Sequence, residues 1–293
     1  MFGQIEIRLN ELTPEQIAQY HEQGFLVIEG AVSSGTCDLL KSRINERLEE
    51  FDPNSIRSIF TTKEQDRQTD DYFLKSAERI SYFFEEEAFD EHGELRQDKV
   101  LSINKIGHAL HDKDELFADF SLSPIWATIL KQLGMKKPLA AQSMYIFKQP
   151  NIGGEVNCHQ DSTFLFTRPM SVIGLWFAIE DATLENGCLW GVPQGHKQGL
   201  EKRFERVSEG ESAMKMTKLS DVDWPDEALA PLEVPKGSMV VLNGEFPHLS
   251  HANRSAQSRH AYALHAIDGD CEYPKTNWLL RHGRTFPEFR HNN

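Results

Sequence analysis

The sequence predicts a mainly β protein: a β-sandwich or barrel in the second half of the chain, covered by α-helices drawn mostly from the first half. Three observations carry this expectation. Up to Pro138 the chain shows helix starts, helix stops and apolar residues at helical spacing. After Pro138 it breaks into short runs rich in β-branched and aromatic residues, separated by Gly, Pro, Asn and Asp clusters. With 39% hydrophobic and 26% charged residues in a chain of 293, there is enough apolar material for a sizeable core.

Thr13-Pro14-Glu15-Gln16 reads as a capped helix start, with Thr13 as N-cap, Pro14 at the first helical position and Gln16 completing a capping box. Gly24 stops that helix and Phe25–Ile28 follows as a strand. A second helix is expected from Cys37 to Glu50, with Leu39, Leu40, Ile44 and Leu48 on its apolar side. A third begins at Ser123-Pro124 and ends before Gly134. Strands are expected at Met144–Phe147, Val172–Ile179, Cys188–Val192, Met239–Leu242 and Ala261–Ile267. Asn186-Gly187, between two such runs, predicts a hairpin turn. The polar stretch 201–229 is expected to be a surface excursion, either a flap or a solvated loop. There is no internal repeat and no low-complexity tract.

The formal net charge of −14 argues against a general nucleic-acid or anionic-membrane binder. Four cysteines without a CxxC support neither a zinc knuckle nor a disulfide framework, and predict a reduced, intracellular protein. No apolar run approaches membrane-helix length, and the N-terminus lacks the pattern of a signal peptide. The RHNN end is no SKL-type tail, and Arg8-Leu9 does not supply an N-terminal peroxisomal pair, so cytoplasm is expected. Patterns for zinc peptidases (HExxH), α/β-hydrolases (GxSxG) and P-loop enzymes are missing.

The stretch VNCHQDS places His159 and Asp161 two positions apart. On a strand both would face one side and could share one ion. An iron site for oxygen chemistry takes two histidines and one carboxylate. Of the twelve histidines, His21, His92, His282 and His291 sit in polar or terminal segments. His108 and His111 read as packed or exposed residues, with a substrate-side role as the alternative, and His196 as the holder of a turn. His248 follows a buried-looking strand and precedes the turn at Ala252-Asn253-Arg254-Ser255. If that hairpin folds symmetrically about the Asn253–Arg254 bond, His248 faces Arg259 across the strands, with Ser250 on the same face. That construction depends on register. A bidentate guanidinium is a natural clamp for the far carboxylate of a keto-diacid whose other end sits on the metal. Taken alone, Arg259 is a surface arginine paired with an acid; beside the other three residues the clamp is preferred.

The order HxD … His … Arg, with eleven residues from His248 to Arg259, resembles the phytanoyl-CoA dioxygenase family of iron(II)/2-oxoglutarate oxygenases. SINKIGHALH, QSMYIFKQP, GGEVNCHQD, EDATLENGCLW and VPQGH resemble its domain-containing subgroup, and the likeness runs roughly from Thr13 to Trp278. It implies a double-stranded β-helix (jelly-roll, cupin-like) core, Fe(II) on His159, Asp161 and His248, and 2-oxoglutarate on Arg259. It also implies cosubstrate contacts from Lys105, Met144, Trp176 and Ser250, and more weakly from Gln142. Without the likeness, Lys105 reads as a surface lysine and Met144 and Trp176 as core. Cys158 is expected to point away from the metal. VPQGH stands where much of the family has a PGSH-like turn.

The implied organisation is one dioxygenase domain over 1–293: helical cover and first strands in 1–137, jelly-roll core in 138–270, tail in 271–293. The implied reaction uses Fe(II), 2-oxoglutarate and O2, with ascorbate in support. It yields succinate and CO2 and hydroxylates a small-molecule or acyl substrate, with N-demethylation open as an outcome. Two rivals remain: a cupin-type metal or ligand-binding protein without 2-oxoglutarate turnover, and a non-catalytic member of the fold. Cupins usually carry HxH followed by Glu, whereas Asp161 is followed by STFLF. A non-catalytic member would be marked by a lost ligand, and all three are present.

Overall fold

The computed structural model describes residues 4–55, 58–59 and 71–291. The first three and last two residues, which carry part of the targeting reading, lie outside them. Six α-helices are present among the described residues: α1 (Pro14–Gln23), α2 (Ser34–Glu50), α3 (Asp71–Lys75), α4 (Leu110–Lys113), α5 (Glu115–Ser121) and α6 (Pro124–Gln132). The capping box of α1 forms as expected. Thr13 Oγ1 accepts from the Gln16 N–H at 3.3 Å, and Gln16 Oε1 accepts from the Thr13 N–H at 2.9 Å. Gly24 ends α1 at φ 82°, a left-handed geometry that costs glycine little. Helix α2 starts at Ser34 rather than Cys37, because the Ser33 hydroxyl accepts from the Thr36 N–H at 3.1 Å and serves as its cap. None of these helices is long and apolar enough to cross a membrane.

Thirteen strands are described: β1 (Phe25–Ile28), β2 (Ile80–Phe84), β3 (Ile103–His108), β4 (Pro138–Ile146), β5 (Val156–His159), β6 (Ile173–Ala178), β7 (Leu189–Gly191), β8 (Lys202–Arg206), β9 (Met214–Lys218), β10 (Ala230–Leu232), β11 (Met239–Asn243), β12 (His248–Ser250) and β13 (Ala261–Asp268). A large antiparallel sheet runs β1-β11-β6-β13-β4-β3-β2, and a small one runs β10-β7-β12-β5. This is the expected strand-rich core. The first half supplies strands as well as helical cover, since β1, β2 and β3 extend the large sheet. The 201–229 excursion carries its own ribbon, β8 against β9, instead of an unstructured loop.

Two expected hairpins do not form. Asn186-Gly187 makes a turn, with the Asn186 Oδ1 accepting from the Thr183 N–H at 2.8 Å and Gly187 at φ 83°. Yet β6 and β7, on either side, belong to different sheets. Likewise β12 pairs with β5 and β7, while β13 pairs with β4 and β6. His248 therefore does not face Arg259 across a hairpin. In a two-sheet core a tight turn also serves to carry the chain from one sheet to the other, and local sequence does not separate the two uses.

Alternation sorts the large sheet's side chains. Leu175, Phe177, Val241, Tyr262 and Leu264 face the helices and join the larger core. Trp176, Val240, Leu242 and Ala263, from the same strands, pack toward the small sheet with Phe246. Each large apolar side chain so buried contributes roughly 1.5–3 kcal/mol.

The helical layer is tied down by one carboxylate. Asp114 is fully buried and accepts at Oδ2 from Arg43 Nε at 2.9 Å and Arg47 Nε at 2.6 Å. Its Oδ1 caps α5 through the Leu116 and Phe117 N–H groups at 3.1 and 3.2 Å. Burial pushes its pKa up, but the Phe117 N–H and the two guanidiniums outweigh burial and hold it below the usual carboxylate range. Asp114→Ala loses a cap, takes the carboxylate from Arg47 and leaves Arg43 only its pair with Glu46, so a destabilisation of about 3 kcal/mol is expected. A depressed carboxylate stabilises fully above its unfolded value of about 4 and loses that contribution as pH falls through its folded value. Urea midpoints of the two proteins should therefore differ widely at neutral pH and converge in acid; a gap independent of pH would remove this ion cluster from the account.

Candidate metal centre and cosubstrate pocket

Strand β5 ends at His159, and β12 begins at His248; the two are direct cross-strand partners. Their rings lie 4.3 Å apart between centroids. Asp161 falls just past β5, in a 3₁₀ turn over Asp161–Thr163, so it does not share a strand face with His159 as the spacing suggested. The turn nevertheless brings its Oδ1 to 3.9 Å from each histidine Nε2. Gln160, between the two donors, points elsewhere and pins the segment. Its Nε2 donates to the Gly199 and Glu245 carbonyls at 2.8 and 2.6 Å, and its Oε1 accepts from the Glu201 N–H at 2.9 Å.

Both histidines are oriented by their other nitrogen. His159 Nδ1 lies 2.9 Å from the Asn157 carbonyl, and His248 Nδ1 lies 3.0 Å from the Phe246 carbonyl. A carbonyl only accepts, so each Nδ1 carries the proton and each Nε2 offers its lone pair inward. One oxygen or nitrogen from each of His159, Asp161 and His248 lies within 4.8 Å of the others, a span that one ion can bridge. Burial pushes Asp161 up, and positive charge on His265, His248 or His159, when any of them is protonated, outweighs burial and holds the carboxyl below the usual range. An anionic oxygen beside two inward lone pairs is the donor set of a cation site, and Fe(II) fits it.

The cavity in front of this group has a volume of about 140 Å³. Every residue expected around the cosubstrate lines it: Lys105, Gln142, Met144, Trp176, Ser250 and Arg259. Register explains how. On the large sheet Gln142, His265 and Gly174 stand opposite one another across β4, β13 and β6; Met144, Ala263 and Trp176 form the next row. Arg259 continues the inward side of β13 beyond Ala263 and Ala261. Small residues in these rows leave the space.

Arg259 reaches the cavity from the large sheet, opposite the strands that carry the histidines. Only 1% of it is exposed, and its guanidinium stands 5.3 Å over the Trp176 ring. Its Nε donates to the Gly187 carbonyl at 3.1 Å. Burial lowers its pKa to about 10, which leaves it charged at neutral pH. Its Nη1 and the Trp176 Nε1 are buried without a hydrogen-bond partner. Two orphaned donors facing one cavity fit a bound carboxylate. Lys105 is buried rather than a surface lysine, with its Nζ 3.9 Å from Met144 Sδ.

Four further contributors lie outside the sequence expectations. His265 lines the cavity with its Nε2 at 3.1 Å from Asp161 Oδ2. It was findable, because 259, 261, 263 and 265 alternate onto one face. Phe73, Phe164 and Trp278 wall the cavity from three separate segments, and no local signal connects them. Of the histidines left open, His108 is buried and lines the cavity, its Nδ1 2.7 Å from Ser76 Oγ. His111 is buried against Ser143, at 2.9 Å, and is packed. His196 Nε2 binds the carbonyl of His21 at 3.1 Å, tying its turn to the end of α1.

Two facing antiparallel sheets with two histidines and a carboxylate at one end define a class, the double-stranded β-helix dioxygenases. The family model described as Phytanoyl-CoA dioxygenase (PhyH) matches residues 20–261. The chain belongs to the phytanoyl-CoA dioxygenase family. It is 47% identical over 271 residues to the phytanoyl-CoA dioxygenase of Arabidopsis thaliana, covering 92% of this chain and 94% of that one. It is 42% identical over 275 residues to phytanoyl-CoA dioxygenase domain-containing protein 1 of Mus musculus, with the same coverage. Among solved structures, EctD from S. alaskensis with 2-oxoglutarate and 5-hydroxyectoine shares the fold at a TM-score of 0.63 and 16% identity, over 98% of this chain and 93% of that one.

Proposed function

We propose that this chain is an Fe(II)- and 2-oxoglutarate-dependent dioxygenase that couples oxidative decarboxylation of 2-oxoglutarate to hydroxylation of a small-molecule or acyl substrate. The observation that carries the reading is the pair of facing ends in one cavity. Three donors able to hold an ion stand on the small-sheet side, and a buried guanidinium with an unpaired N–H stands on the large-sheet side. Family membership and the neighbour solved with 2-oxoglutarate support it.

In this reading His159, Asp161 and His248 hold the metal. Bound iron with 2-oxoglutarate supplies O2 activation: 2-oxoglutarate, O2 and R–H become succinate, CO2 and R–OH. Arg259 binds the far carboxylate in a fork, with Ser250 and Trp176 adding donors and Lys105 adding positive charge. Met144 and the Trp176 ring flank the methylenes and exclude water. Phe73, Phe164 and Trp278 present an apolar, aromatic wall to the substrate, which suits delivery of a C–H bond rather than of a charged group.

Purified protein with Fe(II), ascorbate and 2-oxoglutarate should form succinate slowly without any added substrate, and the true substrate should raise that rate. Small metabolites and acyl-CoA esters screened for this stimulation would name the substrate class. Absence of both succinate formation and 2-oxoglutarate binding in iron-loaded protein would leave the cupin-type reading in possession.

A further inference from the structure

We propose that His265, held by Gln142, is a positioning residue that engages the outer oxygen of Asp161 and leaves a single oxygen for the metal. The inference rests on the metal-site reading above. Asp161 uses its two oxygens differently: Oδ1 is 3.9 Å from both His159 and His248, whereas Oδ2 is 3.1 Å from His265 Nε2. In this geometry the contact falls short of a hydrogen bond, and no donor satisfies that buried oxygen among the described residues.

The His265 ring is set by the sheet. Its strand register places it directly between Gln142 and Gly174. Gln142 Nε2 lies 3.3 Å from His265 Nδ1. With the amide N–H donating to Nδ1, the imidazole proton sits on Nε2, facing the carboxylate. Gly174 makes the approach possible. A Cβ there would lie 3.0 Å from Asp161 Oδ2 and 3.5 Å from the His265 ring. Three adjacent strands thus spend one position each on the second oxygen of a single ligand.

The consequence is a fixed denticity. A carboxylate free to turn can bind an ion through both oxygens and occupy a coordination position that a chelating keto acid needs. An N–H held against Oδ2 at 3.1 Å resists that turn and closes to a hydrogen bond when a metal ion draws in Oδ1. A plain packing histidine would fill the same volume without needing a donor at Nε2, and this difference is what the test reads.

Apo protein is titrated with Mn(II), a redox-silent probe followed by its EPR signal, and 2-oxoglutarate is then added to the Mn(II) form. His265→Leu is expected to weaken Mn(II) binding about 10- to 100-fold, as loss of an outer-shell partner does. His265→Gln, which keeps an N–H donor, should return to within about 3-fold of wild type. Leu binding as tightly as wild type, or Gln binding as weakly as Leu, overturns the proposal. Should the Leu variant fail to fold by circular dichroism, Gln142→Leu replaces it; it unseats the ring, and unchanged Mn(II) affinity there overturns the proposal equally. Asp161→Ala is run alongside. If it loses Mn(II) while His265→Leu does not, only this inference falls; if it keeps Mn(II), the metal-site reading falls with it.

Discussion

Asp161→Ala abolishes succinate formation and weakens Fe(II) or Mn(II) binding by more than about 100-fold, a larger loss than removal of an outer-shell partner brings. The expectation follows from position. Asp161 is the one carboxylate in the group, and it faces both histidine Nε2 atoms at 3.9 Å. Removing it leaves two neutral imidazoles, which hold a hard divalent ion poorly. The fold should survive, because the turn is also held by the Ser162 N–H to the Gly244 carbonyl at 2.8 Å and by the bonds of Gln160. The check is a metal titration and a succinate assay on a variant whose circular dichroism matches wild type. Turnover at the wild-type rate would remove Asp161 from the chemistry.

Arg259→Lys and Arg259→Ala are expected to raise the 2-oxoglutarate concentration needed for half-maximal succinate formation while leaving Mn(II) affinity nearly unchanged. A hydrogen bond to a charged group contributes about 1.5–3 kcal/mol, or roughly 10- to 150-fold. Lysine keeps the charge but lacks the fork, so it should fall between wild type and alanine. Metal binding is spared because the donors sit on the small-sheet side, away from Arg259. Equal 2-oxoglutarate requirements in wild type and both variants would discard the clamp. A matching fall in metal affinity would mean that the substitution acts through the fold.

Much of the site is legible in the sequence because its residue types are demanding. Two histidines, one carboxylate and one arginine in a recognisable order identify the donors before any strand is placed. Local signals are legible for the same reason: the Thr13 cap and the Gly24 stop depend on a few neighbouring residues only. The failures are long-range. Pairing His248 with Arg259 assumes that nearby strands form a hairpin, whereas each strand crosses to a different sheet; the true partner of His248 is His159, some ninety residues back. Strand β3 escapes notice because its partner β4 lies beyond the whole run of α4 to α6, and β2, at the sheet edge, pairs only with β3. Ser33 escapes because its serine cap precedes Gly35, which breaks the apolar periodicity used to start the helix. His265 escapes because a histidine in an otherwise apolar strand reads as packing until the face it shares with Arg259 is followed.

The ion-holding atoms and the cationic anchor ride on opposite walls of the barrel. The gap between them is held by the side chains wedged between the sheets, Trp176, Leu242 and Phe246 among them, while Asp161 and Arg259 stand just beyond the ends of β5 and β13. In the proposed reading such a chamber measures its cosubstrate like a caliper. A keto-diacid one carbon longer or shorter than 2-oxoglutarate should engage one jaw and miss the other.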